Sequence, residues 1–276
     1  MSLSGFNGEK KIGLIAGNGK FPILFVKAAL CQGLEVVVVA IKGDTSKLIM
    51  SLANKVYWLS LKDYARMYDI FKNEGIRKVI MAGQVNPRSL FYKDLGDETL
   101  KTMFAAMKDK RPDTVFGAVA DELAKHSIEL MDSTLLLKDC MPSEGVLTKN
   151  EPDEKTWADV RFGFQLAKQT AGLDIGQTLC VKNGAIVAVE AIEGTDAAIV
   201  RGGRLAGPGI VVIKVSKPCQ DMRFDVPVVG PKTIKFLSKV KATCLAIEAQ
   251  KTLMIDRDIC VDIANKKNIS IVVDKV

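Results

Sequence analysis

The chain has a single histidine, His126, in 276 residues, and that scarcity removes several chemistries at once. Zinc sites built from two or more histidines are excluded, and Ser-His-Asp or Cys-His catalysis is left with one candidate base. His126 falls in a helical-looking stretch from Val119 to Leu130, where a lone histidine is ordinarily a surface or satisfied core residue. The six cysteines, Cys31, Cys140, Cys180, Cys219, Cys244 and Cys260, contain no C-x-x-C pair. A chain of this size has no need of a disulfide scaffold, so reduced, mostly buried thiols of a cytosolic protein are expected. No segment approaches the roughly 20 uncharged apolar residues that span a bilayer. The start, Met1-Ser2-Leu3-Ser4-Gly5, has no basic region followed by an apolar run. Long Lys/Arg runs with interleaved aromatics are missing too, which makes nucleic-acid binding a distant reading. Internal repeats and low-complexity tracts are absent.

What is present is a globular composition: 48% hydrophobic and 26% charged residues, enough for one large domain or two ordinary ones. The formal charge of +7 suits phosphate-rich partners such as nucleotides or an anionic bilayer face.

The first half alternates strand and helix. Lys11 to Ala16 is a short apolar run closed by Gly17-Asn18-Gly19, and Pro22 then opens an apolar-periodic helix to about Gln32. Glu35 to Ile41 is a Val-rich run of the kind buried on both faces of a sheet. Val56 to Leu59 and Lys78 to Ala82 predict two more strands around a helix from Leu61 to Glu74. This alternation predicts a parallel sheet covered by helices, with ligands bound beyond the strand C-termini. Two loops sit there, Gly17 to Phe21 and Gly83 to Arg88, the second offering Gln84, Asn86 and Arg88. The first loop fails as a dinucleotide fingerprint. Pro22 occupies the third glycine position, and Ile41-Lys42-Gly43 stands where a ribose-reading carboxylate belongs. Glycines beside a helix N-terminus still suit a phosphate, although a tight turn without a ligand reads equally well. Leu95 to Leu137 reads as mostly helical with a break at Pro112, and the polar stretch around Met141 to Asp153 is the best domain boundary.

In the second half, Trp157 to Thr170 predicts a helix, and Asn183-Gly184 between apolar runs predicts a hairpin with both central residues at positive φ. The second hairpin strand runs into Glu190-Ala191-Ile192-Glu193-Gly194-Thr195-Asp196, a junction that can bind a cation or, with Thr195 or Asp196, cap the next helix. Ile210 to Val215 predicts a strand. Asp221, Arg223 and Asp225 share parity, so in an extended strand they would line one face. That stripe is either a solvated face or a metal–phosphate site, in which carboxylates hold a hard cation and Arg223 neutralises phosphate charge. Pro231 to Met254 reads as one long helix and Ile269 to Val273 as a final strand.

Taken in order, Ile12 to Pro22, Gly83-Gln84-Val85, Phe162-Gly163-Phe164, Leu173 to Gln177, Glu193 to Asp196 and Gln220 to Pro227 closely resemble the LpxI-type UDP-2,3-diacylglucosamine diphosphatases over nearly the whole chain. The resemblance implies an α/β protein with a Rossmann-like, parallel-sheet UDP-binding domain (1–140), a linker (141–156) and a mixed α/β catalytic domain (157–276). It implies Mg²⁺-dependent attack of water on the α-phosphorus, with Mn²⁺ as an alternative ion, giving UMP and 2,3-diacylglucosamine 1-phosphate for lipid A synthesis. Asp225 and Asp221 would then be metal ligands or water activators, with Arg223 on phosphate. Gly17, Asn18, Gly19, Lys20 and Gln84 would bind the nucleotide, and Glu193, Gly194, Thr195, Asp196 and Lys214 the substrate. One departure is Cys219, where such sequences carry glycine; its bulk bears on the Asp221 loop, so Asp225 is favoured first. Such a protein would be cytoplasmic, touching the inner leaflet of the inner membrane transiently, with a homodimer compatible and no nucleic-acid partner. The competing readings are a nicotinamide-dependent oxidoreductase and a non-enzymatic nucleotide or lipid-sugar binding module.

Overall fold

The computed structural model describes residues 8–85, 96–109 and 111–275. Asn86 and Arg88 lie outside the described residues. The chain is α/β and divides into two compact units. Unit 1 comprises Met1–Leu137 together with the distant segment Asp221–Asp225, and unit 2 comprises Lys138–Gln220 and Val226–Val276.

Unit 1 is built on a five-stranded parallel sheet in the order β3-β2-β1-β4-β5. Its strands are β1 (Lys11–Ala16), β2 (Glu35–Ile41), β3 (Lys55–Leu59), β4 (Lys78–Ala82) and β5 (Glu129–Leu130). The chain moves outward from β1 to β3 and then jumps back to place β4 on the other side of β1. The loops after β1 and β4 therefore diverge at a topological switch point, where α/β sheets open a crevice at their C-terminal edge. The helices are α1 (Phe21–Cys31), α2 (Arg66–Asn73), α3 (Glu98–Ala106) and α4 (Pro112–Lys125). Ile15, Val37 and Val39 pack with Met67 and Phe71 of α2 and Val119 and Leu123 of α4 in one core. Helix stops at Lys125 in the stretch expected to be helical through Leu137, because Ser127 takes positive φ and Glu129 pairs into the sheet.

Unit 2 carries a six-stranded mixed sheet in the order β6-β13-β11-β9-β7-β8. Its strands are β6 (Gly145–Val146), β7 (Thr178–Lys182), β8 (Ala185–Val189), β9 (Val211–Lys214), β11 (Cys244–Glu248) and β13 (Ser270–Asp274). A separate parallel pair joins β10 (Val228–Val229) to β12 (Leu253–Met254). The helices are α5 (Glu154–Gly172), α6 (Thr195–Ala206), α7 (Pro231–Lys239) and α8 (Arg257–Lys266). Strand parity divides the core. Val211, Ile213, Cys244, Ala246 and Val272 pack with Val160, Phe164 and Ala167 of α5, whereas Val212, Leu245, Ile247, Ile271 and Val273 pack with Ile199, Ile234, Leu237 and Cys260 of α6 to α8. Asn183 and Gly184 both take positive φ in the β7–β8 hairpin, and the buried Asp159 carboxylate accepts from both of their N–H groups at 2.8 and 2.6 Å.

One expectation fails here. Pro231 to Met254 is not one helix: Lys241 takes positive φ after α7, and Cys244–Glu248 becomes the fully buried strand β11 between β9 and β13. Between α4 and α5, β6 runs antiparallel to β13, and Lys149 N–H donates to Asn265 Oδ1 at 2.8 Å. Among the described residues no helix is long and apolar enough to cross a membrane.

Candidate functional site

At the crevice edge of unit 1, two glycine loops are clasped together. Asn18 N–H donates to the Gln84 carbonyl at 2.7 Å and Gln84 N–H returns to the Asn18 carbonyl at 3.1 Å, while Gly17 N–H donates to Ala82 at the end of β4. A Cβ on Gly17 would lie 2.7 Å from the Gln84 carbonyl oxygen, and one on Gly83 2.5 Å from that of Asn18. These two glycines are required by the clasp itself. Gly19 differs: its φ is +95° and a Cβ there would meet nothing within 4 Å. Its N–H is occupied by Asn18 Oδ1 at 2.6 Å. The donors offered at this corner are therefore those of the first turn of α1, whose N-cap Lys20 makes no side-chain capping bond and which has Pro22 in its first turn. Gln84 is exposed.

Asp221, Arg223 and Asp225 do not lie on a strand. Residues 222–224 form a turn, Phe224 N–H reaches back to the Asp221 carbonyl, and Asp225 takes a φ of 54°. The expected same-face stripe is replaced by a tight loop. Nor does the segment pack as part of the C-terminal half. Phe224 is buried in the core of unit 1, 5.6 Å from the Phe116 ring, and Ser133 fixes the adjoining backbone. Ser133 N–H donates to the Met222 carbonyl at 2.8 Å, and its hydroxyl lies 2.6 Å from the carbonyls of both Met81 in β4 and Arg223. An apolar anchor between polar residues outweighed the strand pattern. The result brings the acidic turn to the same C-terminal sheet edge as the glycine clasp.

Within the turn, Arg223 Nε and Nη2 both contact Asp221, the shortest at 2.7 Å. This guanidinium holds the Asp221 carboxyl below the ordinary carboxylate range, against partial burial that pushes it up. Arg223 also lies 5.7 Å from the centroid of the Phe224 ring. Cys219 is exposed. Among the described residues no group of three or more His, Cys, Asp or Glu side chains is arranged to hold a metal. His126 stacks on Tyr68 at 4.2 Å and sits 3.8 Å from Glu122, a packing position at the end of α4.

Unit 2 gathers a second polar cluster at the C-terminal ends of β8 and β9. Lys214, buried, donates to Thr195 Oγ1 at 2.7 Å and lies 3.4 Å from Thr178 Oγ1 and 3.9 Å from Glu190. Thr195 Oγ1 in turn donates to Glu190 Oε1 at 2.9 Å. Thr195 is thus not a cap; Gly194, at positive φ, is the N-cap of α6 and supplies no side chain. Glu193 turns away to Arg201 at 2.6 Å; burial pushes its carboxyl up, but that guanidinium and backbone N–H groups bring it below the usual range. Asp196 pairs with Lys232 at 2.9 Å. Of the junction residues, the structure brings Thr195 and Lys214 together and separates Glu193 and Asp196 from them.

Sequence reasoning did not single out Glu190, Asp174, Lys168, Lys217 or Glu248. Lys217 pairs with Asp174, and Lys168 pairs with Glu248, whose Oε2 also accepts from Ser216 N–H and Oγ at 2.8 Å. These residues are scattered in the chain; only the parallel ends of β9 and β11 bring Lys214, Ser216, Lys217 and Glu248 together.

A parallel-sheet unit with a clasped glycine corner, joined to a mixed α/β unit with a buried lysine cluster, defines a two-unit α/β protein. The LpxI N-terminal domain family matches residues 11–140 and the LpxI C-terminal domain family matches residues 143–272. The chain belongs to the LpxI family. The UDP-2,3-diacylglucosamine pyrophosphatase LpxI of Caulobacter vibrioides is 26% identical over 260 residues, covering 90% of this chain and 92% of that protein. Among solved structures, the biotin carboxylase subunit of pyruvate carboxylase is 14% identical with a TM-score of 0.27, matching 72% of this chain and 41% of its own. A glycinamide-RNase-transformylase T from Mycobacterium tuberculosis reaches 12% identity and a TM-score of 0.23, over 66% of this chain and 44% of its own. This chain spans less than half the length of those two proteins.

Proposed function

We propose that this chain hydrolyses the diphosphate of UDP-2,3-diacylglucosamine in lipid A synthesis, releasing UMP and 2,3-diacylglucosamine 1-phosphate. The observation that carries the reading is the return of Asp221–Asp225 to the crevice edge of unit 1. A carboxylate–guanidinium–carboxylate turn there joins the positive end of α1 on one sheet edge. Membership of the LpxI family and the printed activity of the Caulobacter relative support the substrate.

In this reading Gly17, Asn18, Gly19, Lys20 and Gln84 line the nucleotide side, with the first turn of α1 directed to phosphate. Arg223 exchanges Asp221 for a phosphate oxygen and neutralises the charge that develops there. Water oxygen bonds to the α-phosphorus, the bond from that phosphorus to the bridging oxygen breaks, and the bridging oxygen leaves on the sugar phosphate. Asp225 takes the water proton, or would hold an ion that lowers that water's pKa. The donor set suits a hard divalent cation, since Asp221 and Asp225 offer carboxylate oxygens and a diphosphate supplies more. Asp221 would hold such an ion only on releasing the Arg223 guanidinium. Magnesium, or manganese in its place, would supply charge neutralisation at the diphosphate and a water of lowered pKa when bound. The protein would act in the cytoplasm at the inner leaflet, where an acylated substrate resides.

The test is incubation of the full chain with UDP-2,3-diacylglucosamine and Mg²⁺, with the released nucleotide identified by mass. UMP is expected, lost on exhaustive chelation and restored by Mg²⁺ or Mn²⁺. Absence of UMP under every divalent ion overturns the activity; full turnover after chelation overturns the metal.

A further inference from the structure

Glu190 presents a chemical mismatch. Its Oε1 accepts from Thr195, but its Oε2 is buried and has no hydrogen-bond partner among the described residues, and Lys214 approaches no closer than 3.9 Å. Asp174 repeats the pattern: one oxygen pairs with the buried Lys217, and Oδ2 is buried without a hydrogen bond. Gly176, two residues past Asp174, packs against the backbone carbonyl of Glu190, so the Asp174 segment runs beside Glu190 in unit 2. A buried carboxylate oxygen left unmet is costly, and proteins rarely keep one without a use.

The pairing narrows the ligand. A metal ion at Glu190 would face the Lys214 ammonium, and a bare phosphate at Lys214 would face the unmet Glu190 oxygen. A group that carries a hydroxyl or amide N–H beside an anionic phosphate satisfies both. We infer that Glu190 and Lys214 form a sugar-side recognition pair in unit 2, Glu190 Oε2 accepting from a hydroxyl or amide N–H of an acylated amino sugar while Lys214 lies against its phosphate. Thr195 fixes the pair by donating to Glu190 and accepting from Lys214. The inference rests on the hydrolase reading and assigns the substrate part that unit 2 selects.

Glu190→Gln isolates the claim. The amide oxygen can keep the Thr195 bond, while an NH₂ replaces Oε2 and turns an acceptor into a donor. The full chain and this variant are compared in three measurements: UMP release from UDP-2,3-diacylglucosamine, thermal stabilisation by 2,3-diacylglucosamine 1-phosphate, and UMP binding by calorimetry. The variant is expected to lose about tenfold or more in kcat/KM, as for a lost hydrogen bond to a charged group. It should lose stabilisation by the sugar phosphate and bind UMP as the wild type does. A kcat/KM within twofold of wild type, or undiminished stabilisation by the sugar phosphate, overturns the inference. So does equal loss of UMP binding, which would mark a general structural defect. If Glu190→Gln does not fold, Thr195→Val serves in its place, with a smaller loss in the same two readouts expected and no loss overturning the claim. Wild-type protein that binds the sugar phosphate yet releases no UMP fails the hydrolase reading alone.

Discussion

Ser133 and Arg223 are 90 residues apart in the chain, and the Ser133 hydroxyl lies 2.6 Å from the Arg223 carbonyl oxygen. The same hydroxyl reaches Met81 at the end of β4, so one side chain ties the acidic turn to the sheet. Ser133→Ala removes that tie and withdraws the single hydroxyl proton that the two carbonyls share. It should destabilise the fold by about 1–3 kcal/mol, and activity should fall through kcat more than through KM, because the turn is displaced. Chemical denaturation and steady-state kinetics check both parts; an unchanged kcat would mean that Phe224 and the Ser133 N–H to Met222 bond seat the turn without the hydroxyl.

The two aspartates of the turn should separate by role. Asp225→Ala is expected to cut kcat by several powers of ten with little change in substrate affinity, as for a group acting in the transition state. Asp221→Ala should cost less, since it removes the partner of Arg223 and leaves the guanidinium to phosphate. Kinetics on the two variants side by side decide this; near-normal turnover for Asp225→Ala would refute its assignment.

The glycines of the first corner should divide by cause. Gly83→Ala drives a Cβ into the Asn18 carbonyl at a φ of +90°, so expression and melting temperature should drop sharply. Gly19→Ala meets open space and should cost only about 1–2 kcal/mol of left-handed backbone strain. If Gly19→Ala instead removes UMP binding in a folded protein, the ligand approaches the backbone at that residue. Calorimetry with UMP, run beside a melting curve, reports both.

Which phosphorus is attacked can be read from isotope placement. In ¹⁸O water, α-attack labels UMP and β-attack labels the sugar phosphate, although both routes give the same two products. Label in UMP is the expected outcome. Label mainly in the sugar phosphate would move the acidic turn's target by one phosphorus and leave the hydrolase class intact.

Much of the fold was legible because local pattern and tertiary burial agree. Glu35–Ile41 is a Val-rich run and is a central strand, and Asn183-Gly184 marks a hairpin because both residues tolerate positive φ. The failures have physical causes. In Cys244–Glu248 both faces are buried, so a short apolar run lost its period-two signature and merged with the helix before it. Asp221, Arg223 and Asp225 carry strand parity, but Phe224 between them is held by a core more than 80 residues away in sequence, a contact no local pattern encodes. Asp221 and Arg223 do meet, as an ion pair within a turn rather than along a strand face. Glu190 stayed inconspicuous among the acidic residues of its junction, because only the geometry of β8, β9 and α6 distinguishes its unmet oxygen from the paired Glu193 and Asp196.

The return of Asp221–Asp225 to unit 1 also orders events during synthesis. A ribosome that has finished Leu137 has made every strand of the first sheet but not Phe224, so the nascent unit has a hole in its core beside Phe116. That hole stays open while the 86 residues between Leu137 and Phe224 are translated, on the order of several seconds at ordinary elongation rates. Through that interval the acidic turn is missing as well, so a chain truncated after Leu137 is underpacked and lacks the carboxylates proposed for catalysis.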